Sequence, residues 1–281
     1  RNALNPDLAA IAGHINDGVI RLWNVETGES LGKIEWTEHS GFGLLAFSPN
    51  GRQLLSINSY IAENRPGGYD LWETTIDTWD TTAHQHVWGH KRFYRVVRAA
   101  YSPDSRWIVT ADINHRIATW DATLGAQREI WHAADYVQPI QFSPDSRRIY
   151  IAAGTGGYPR QSNRVSVWNI ETGEKLKEFG DSTIGLGNVS ISPDERQALL
   201  WYSGGYVVLW DIMENRRFAF VTDYVVPRWG SISPDGRCLI SRGGSAITIW
   251  DFRSESLLEI IFPVKYFFVA LRWGRAAKFL P

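Results

Sequence analysis

The sequence predicts an all-β chain built from a repeated unit of about four strands. Three observations carry that reading. Two short phrases alternate along the 281 residues, one of them closes on a tryptophan at near-constant spacing, and helical periodicity is absent. The first phrase is an apolar residue followed by Ser-Pro-Asp or Ser-Pro-Asn: Phe47-Ser48-Pro49-Asn50-Gly51, Tyr101-Ser102-Pro103-Asp104-Ser105, Phe142-Ser143-Pro144-Asp145-Ser146, Ile191-Ser192-Pro193-Asp194-Glu195 and Ile232-Ser233-Pro234-Asp235-Gly236. The second is an alternating strand that ends at Trp23-Asn24, Trp79-Asp80, Trp120-Asp121, Trp168-Asn169, Trp210-Asp211 and Trp250-Asp251.

Each phrase has a physical reason. In the first, Pro presets φ at the second position of a type I turn, Asp or Asn caps locally, and Gly accepts the exit conformation. Before each Trp stand runs such as Val165-Ser166-Val167 and Val207-Val208-Leu209, the β-branched and apolar residues a strand prefers. Five positions after the Trp come Gly28, Gly125, Gly173 and Asn215, which take a left-handed turn at little cost. The equivalent positions hold His84 and Glu255, so those two turns are expected to be built differently.

The tryptophans at 23, 79, 120, 168, 210 and 250 stand 56, 41, 48, 42 and 40 residues apart. A period of about 40–45 residues with a terminal Trp-Asp marks one blade of a β-propeller. With these motifs the chain resembles the WD-repeat family. The resemblance implies a β-propeller of four-stranded antiparallel blades, with six visible repeats and six or seven blades in the closed ring. A single domain over residues 1–281 is expected, with a partial first unit at 1–36 lacking its inner strand and a partial last unit at 264–281. In the latter, Phe267-Phe268-Val269-Ala270-Leu271 reads as an inner strand able to complete the first unit. The opening Arg1-Asn2-Ala3, without Met, reads as a cut from a longer chain.

The blades differ in length. From Ser102 to Trp120, Ser192 to Trp210 and Ser233 to Trp250 the units take 18, 18 and 17 residues, but from Ser48 to Trp79 and from Ser143 to Trp168 they take 31 and 25. The excess falls between the second and third strands, at 58–74 and 154–163. In the resembled family such loops emerge on the top face. Long loops on a rigid scaffold are where binding tends to reside. The first carries Tyr60, Arg65, Tyr69 and Trp72, and the second Tyr158 and Arg160. Links between units add Phe93, Tyr94 and Arg95, then Tyr136, then Tyr224 and Arg228, expected on the same face. Tyr, Trp and Arg are the residues enriched at interface hot spots. These twelve residues are the candidate partner-binding set, with Trp72, Tyr94 and Arg95 expected on one surface; the bland alternative packs each aromatic on its own blade.

Other chemistry finds little support. His84, His86 and His90 invite a metal, but on a strand His90 lies roughly 13 Å beyond His86, so the three cannot meet at one ion. By resemblance, His90, Thr110, Asn114 and Trp120 form a buried structural tetrad, with Asn where Asp is usual. The corresponding turn position elsewhere holds Glu73, Ser162, Gly204 and Gly244, and Asp17 alone keeps the family residue. Gly154-Thr155-Gly156-Gly157 lacks the following Lys and helix that phosphate binding requires. Asp77 and Asp80 form no recognisable catalytic pair, since Asp80 belongs to the repeated turn.

Lys91-Arg92-Phe93-Tyr94-Arg95 with Arg98 interleaves basic and aromatic residues as single-strand nucleic-acid binders do. A formal net charge of −1 argues for a protein-binding loop instead. The single Cys238 excludes an internal disulfide and suits the reducing cytoplasm. The most apolar stretch, 257–271, is too short to span a bilayer. The reading is a monomeric, non-catalytic scaffold that needs no cofactor and docks a protein or peptide. An enzymatic or ligand-binding propeller is the rival, and a regulatory tail of a kinase or ATPase a third reading.

Overall fold

A computed structural model describes residues 2–5, 10–14, 19–24, 26–35, 42–63, 71–92, 94–132, 137–153, 164–181, 186–202, 206–222, 229–233, 237–243, 246–251 and 256–261. All of its regular structure is β, in six four-stranded antiparallel sheets whose strands follow chain order. The first holds β1 (Asn2–Asn5), β2 (Ala10–His14), β3 (Val19–Asn24) and β4 (Ser30–Glu35). The second holds β5 (Phe42–Phe47), β6 (Gln53–Glu63), β7 (Leu71–Asp80) and β8 (His86–Arg92), and the third β9 (Val96–Tyr101), β10 (Trp107–Asp112), β11 (Arg116–Asp121) and β12 (Gln127–His132). The fourth holds β13 (Val137–Phe142), β14 (Arg148–Ala153), β15 (Val165–Asn169) and β16 (Lys175–Phe179). The fifth holds β17 (Leu186–Ile191), β18 (Gln197–Tyr202), β19 (Tyr206–Asp211) and β20 (Arg216–Thr222), and the sixth β21 (Trp229–Ile232), β22 (Cys238–Gly243), β23 (Ala246–Asp251) and β24 (Ser256–Ile261). Four-stranded up-and-down sheets of this kind are what propeller blades are made of. Among the described residues no helix is long and apolar enough to cross a membrane.

Two expectations are corrected. The first unit has its own inner strand: β1 pairs with β2 from Asn2↔Gly13 to Asn5↔Ala10. An asparagine-flanked strand of four residues carries too little β propensity to stand out in sequence. The His84 turn is not built differently: His84 sits at φ 56°, in line with 72° at Gly28, 68° at Gly125, 66° at Gly173 and 49° at Asn215. The turn of Glu255, the second long insertion and the segment 264–281 lie outside the described residues.

The chain forms two compact units, one of Arg1–Ala133 with Pro144–Arg148 and Asn169–Glu174, the other of Ala134–Ser143, Ile149–Trp168 and Lys175–Pro281. In the first unit the inner strands stand side by side, β1 against β5 and β5 against β9. Ile20, Leu22 and Ile34 of the first sheet pack on Leu45, Phe47, Leu54 and Trp79 of the second. The opposite face of the second sheet, with Leu55, Ile57 and Ile76, packs on Val96, Ile108, Ala118 and Trp120 of the third. Adjacent residues Leu54 and Leu55 therefore serve different cores, as the two-residue strand period requires. In the second unit Val165, Val167 and Phe179 meet Leu186, Val189, Ala198 and Leu200, while Leu199, Trp201, Val207 and Leu209 turn to Ile232.

The repeated turns are held by repeated bonds. In the described turns after the Trp, one Asn or Asp side chain caps the backbone: Asn24 Oδ1 accepts from Glu26 N and Thr27 N, Asp80 Oδ1 from Thr82 N and Ala83 N, and Asp121 Oδ1 from Thr123 N and Leu124 N. The outer strand of one sheet packs on the turn of the next. Trp88 donates from Nε1 to the Ala122 carbonyl at 2.9 Å. A Cβ on Gly125 would come within 2.5 Å of the Trp88 ring, so glycine is needed there for closeness as well as for φ. The Ser-Pro turns also join across sheets: Asn50 N donates to Ser105 Oγ and Asp104 N to Ser146 Oγ, both at 3.0 Å.

The indole bonds differ between sheets. Trp79 Nε1 donates to Ser56 Oγ at 2.8 Å and Trp120 Nε1 to Thr110 Oγ1 at 3.0 Å, both buried. Of the four residues expected in a tetrad, Trp120 and Thr110 are joined. His90 instead donates from Nε2 to the Gly125 carbonyl at 2.7 Å, with its ring 5.2 Å from that of Trp120. The backbone N–H of Asn114 donates to Asp112, so the acid that organises this turn lies two residues earlier than the family pattern implies. Trp210 makes a longer, exposed bond of 3.3 Å to Asn215.

These environments predict different costs for one chemical change. Trp120→Phe leaves a smaller ring in a fully buried site and strands the Thr110 hydroxyl, for about 2–4 kcal/mol. Trp210→Phe is expected to cost under about 1 kcal/mol, and paired denaturant titrations compare the two. A second expectation concerns pH. Burial holds the Tyr101 phenol well above its ordinary range and pushes Tyr202 up to about 12. A raised phenol contributes stability that is complete below the unfolded value of about 10 and is lost as pH rises toward the folded one. Stability should therefore fall between about pH 10 and 12, and Tyr202→Phe should flatten that decline in a midpoint-versus-pH series.

Candidate functional site

At one end of the second and third sheets, the hairpin between β6 and β7 meets the link between β8 and β9. The topology puts them together: in an up-and-down sheet, the connection after the second strand and the exit from the fourth lie at the same end. The insertion expected as a long loop over 58–74 is largely strand. Pairing runs past the rest of the sheet through Tyr60↔Glu73 and Ile61↔Trp72 to Glu63↔Leu71. Tyr60 donates its hydroxyl to the Glu73 carboxylate, and Lys91 on β8 forms an ion pair with the same group. Burial, then the bond to Glu73, holds the Tyr60 phenol above its ordinary value.

Buried Thr74 fixes the link. Its hydroxyl donates to the Tyr94 carbonyl at 2.6 Å, so Ser59, 2.7 Å away, is the donor to Thr74. From the third sheet, Ile113 N donates to the Arg95 carbonyl at 3.0 Å. Tyr94 and Arg95 are thus pinned by their backbones, and their side chains point to different partners. The Arg95 guanidinium lies 4.6 Å from the Trp72 ring, and that of Arg116 lies 4.1 Å from the Tyr94 ring. Cation–π contacts of this reach need no desolvated pocket to be favourable. Burial raises the Tyr94 phenol, against the pull of Arg92 and Arg116.

Arg116 is itself anchored. Its Nε donates to Asp112 Oδ2 at 2.7 Å, while Asp112 Oδ1 accepts from Asn114 N at 2.7 Å and Arg116 N at 3.1 Å. Asp112 is 3% exposed and the Arg116 side chain 35%. The turn closes through His115 at φ 63°. Two apolar side chains flank the cluster in the open, Ile61 at 40% and Ile113 at 37% exposure.

Of the twelve candidate residues, the structure describes Tyr60, Trp72, Tyr94 and Arg95, and brings all four to this end of the two sheets. Arg65, Tyr69, Phe93, Tyr136, Tyr158, Arg160, Tyr224 and Arg228 lie outside the described residues. Sequence reasoning missed Asp112, Ile113 and Arg116. The available signal was an acid followed four positions later by an arginine across the turn Asp112-Ile113-Asn114-His115-Arg116.

The histidines are occupied elsewhere: His86 bonds Asp77 at 3.0 Å, His84 packs against Gly32, and His90 is held by Gly125. Among the described residues no group of three or more His, Cys, Asp or Glu is arranged to hold a metal ion.

No family model matches the chain. Among curated proteins it is similar to the LST8 homologue of Drosophila melanogaster, 23% identical over 246 residues that cover 83% of this chain and 72% of that protein. It is similar to apoptotic protease-activating factor 1 of Homo sapiens, 25% identical over 190 residues, 63% of this chain and 13% of that protein. A WD repeat-containing protein of Deinococcus radiodurans is 23% identical over 232 residues, 73% of this chain and 85% of that protein. The chain thus spans only about an eighth of the human factor and most of the other two. In its alternating phrases, its four-stranded sheets and these relatives, the chain is similar to WD-repeat proteins.

Proposed function

We propose that this chain is a non-catalytic protein-interaction scaffold, acting as a monomeric domain, that docks a protein or peptide at the end where the β6–β7 hairpin meets Tyr94 and Arg95. The observation that carries the reading is the joint placement of Trp72 on Arg95 and Tyr94 on Arg116, rimmed by exposed Ile61 and Ile113. An aromatic–arginine centre with apolar neighbours is the composition of an interface hot spot. The backbone bonds from Thr74 and Ile113 hold that centre in place before any partner arrives, which lowers the ordering cost of binding.

The charge distribution supports protein over nucleic acid. Lys91 is committed to Glu73, Arg92 donates to Gln127 at 2.8 Å, and Arg98 donates to the Val97 carbonyl, so the basic run is not a free row of cations for phosphates. A non-catalytic role is supported by the engagement of Asp77, Asp80, His86 and His90 in turn and strand bonds. A cytoplasmic setting agrees with Cys238 standing outside any disulfide.

Immobilised wild-type chain and a Trp72→Ala/Tyr94→Ala/Arg95→Ala variant with the same melting temperature would be offered source-cell lysate. A protein retained by the wild type should be lost by the variant, a drop of at least about 30-fold if the three side chains form a hot spot. Equal retention by both would remove this site as the docking surface.

A further inference from the structure

Arg116 is arranged as a fork aimed outward. Its Nε is tied to Asp112, which is buried and saturated by three donors. Its plane is backed by the Tyr94 ring at 4.1 Å. The two Nη groups make no hydrogen bond to the described residues, and the side chain is 35% exposed. An arginine fixed at Nε and stacked on an aromatic ring presents its remaining donors in a rigid planar pair, the geometry that matches an oxyanion with two oxygens. Anchoring therefore removes most of the rotamer entropy that an exposed arginine would otherwise lose on binding.

The surroundings define the charge. Lys91, Arg92, Arg95, Arg98 and Arg116 gather on the two sheets here, against Glu63, Glu73 and Asp112. Glu73 is taken by Lys91 and Tyr60, and Asp112 by Arg116. The excess is positive in a chain whose net charge is −1, so the positive field is local. The other cations are turned to protein partners: Arg95 to Trp72, Arg92 to Gln127 and the Trp120 ring, Arg98 to a backbone carbonyl. One open fork suits a singly charged carboxylate; a doubly charged phosphate is held best where several cations converge.

Resting on the scaffold reading above, we infer that the docked partner is an acidic peptide segment, whose Asp or Glu carboxylate is gripped by the Nη pair of Arg116 and whose apolar neighbours sit on Ile113 and Ile61. Asp112 and Tyr94 are positioning residues for that fork. The recognition is charge-assisted and planar, so a lysine at the same place keeps the charge and loses the second bond.

The test uses the full 281-residue chain and a short fluorescent peptide alternating Leu and Glu, capped at both ends, beside the same peptide with Gln for Glu and with phosphoserine for Glu. The Glu peptide should bind by anisotropy, weaken with added salt, and bind at least about tenfold more tightly than the Gln peptide. Arg116→Lys should lose about tenfold for the Glu peptide only. Ile113→Asp leaves the Asp112–Arg116 pair intact and should weaken the Glu peptide by a similar factor through repulsion, which guards against a misfolded Arg116 variant. Equal binding of Glu and Gln peptides, no effect of either substitution, or tighter binding of the phosphoserine peptide each overturns the carboxylate assignment. If no peptide binds while lysate capture still depends on Trp72, Tyr94 and Arg95, the acidic occupant is wrong and the scaffold reading stands; if both fail, both are wrong.

Discussion

Leu54 and Leu55 are neighbours in the chain, and both are fully buried. On a strand they face opposite sides, so the second sheet has an apolar surface toward each neighbouring sheet and cannot complete a core alone. The same holds for Leu199 and Leu200 in the fifth sheet, which belong to different clusters. From that two-sided burial follows the rest: sheets must stack, the stacking interval must be regular, and the sequence must repeat. Repetition of the tryptophan phrases is the visible trace of a packing requirement.

Stacking apolar faces fixes neither register nor spacing, and the turns supply both. At Gly125 and Gly173 the capped turn ends in a left-handed glycine lying against an outer-strand tryptophan of the preceding sheet, Trp88 and Trp131. Ser105 and Ser146 occupy left-handed positions at φ 63° and 61°, where glycine would be less strained. Each receives a backbone N–H from the preceding Ser-Pro turn, so the hydroxyl links one sheet to the next and offsets a conformational cost of order 1 kcal/mol. His84 follows the same logic with a ring in place of a hydroxyl, its imidazole laid against Gly32 of the first sheet.

What could be read from the sequence follows from which interactions are local. The Ser-Pro turns and the Trp-Asp turns close within six residues, so their chemistry is written in adjacent letters, and those among the described residues appear where expected. The His84 turn and the strand Asn2–Asn5 were harder, because neighbouring sheets and pairing override weak local preference there. The 58–74 insertion contains Pro66-Gly67-Gly68 and looks like a loop throughout, yet cross-strand pairing carries Tyr60 and Trp72 well beyond the sheet. The family tetrad pointed to Asn114, while the residue that organises the turn is Asp112, placed by an Asx-type bond rather than by family pattern. Trp72 with Arg95 and Tyr94 with Arg116 are tertiary contacts between different sheets or links, and no spacing in the chain announces them.

The same distinction bears on why binding chemistry collects at this end. The opposite ends of these sheets are consumed by their own architecture: carboxylates and amides there cap turns, and serines join neighbouring turns. At the hairpin end, Thr74 and Asp112 satisfy the backbone from below, and Trp72 meets Arg95 and Tyr94 meets Arg116 through ring–cation contacts. Contacts between cations and rings are weaker and less directional than hydrogen bonds, so they hold a shape without closing it to a partner. Arg116 shows the consequence most directly. Its Nε serves the fold through Asp112, its plane is set by Tyr94, and its terminal nitrogens face outward from a position that folding has already fixed.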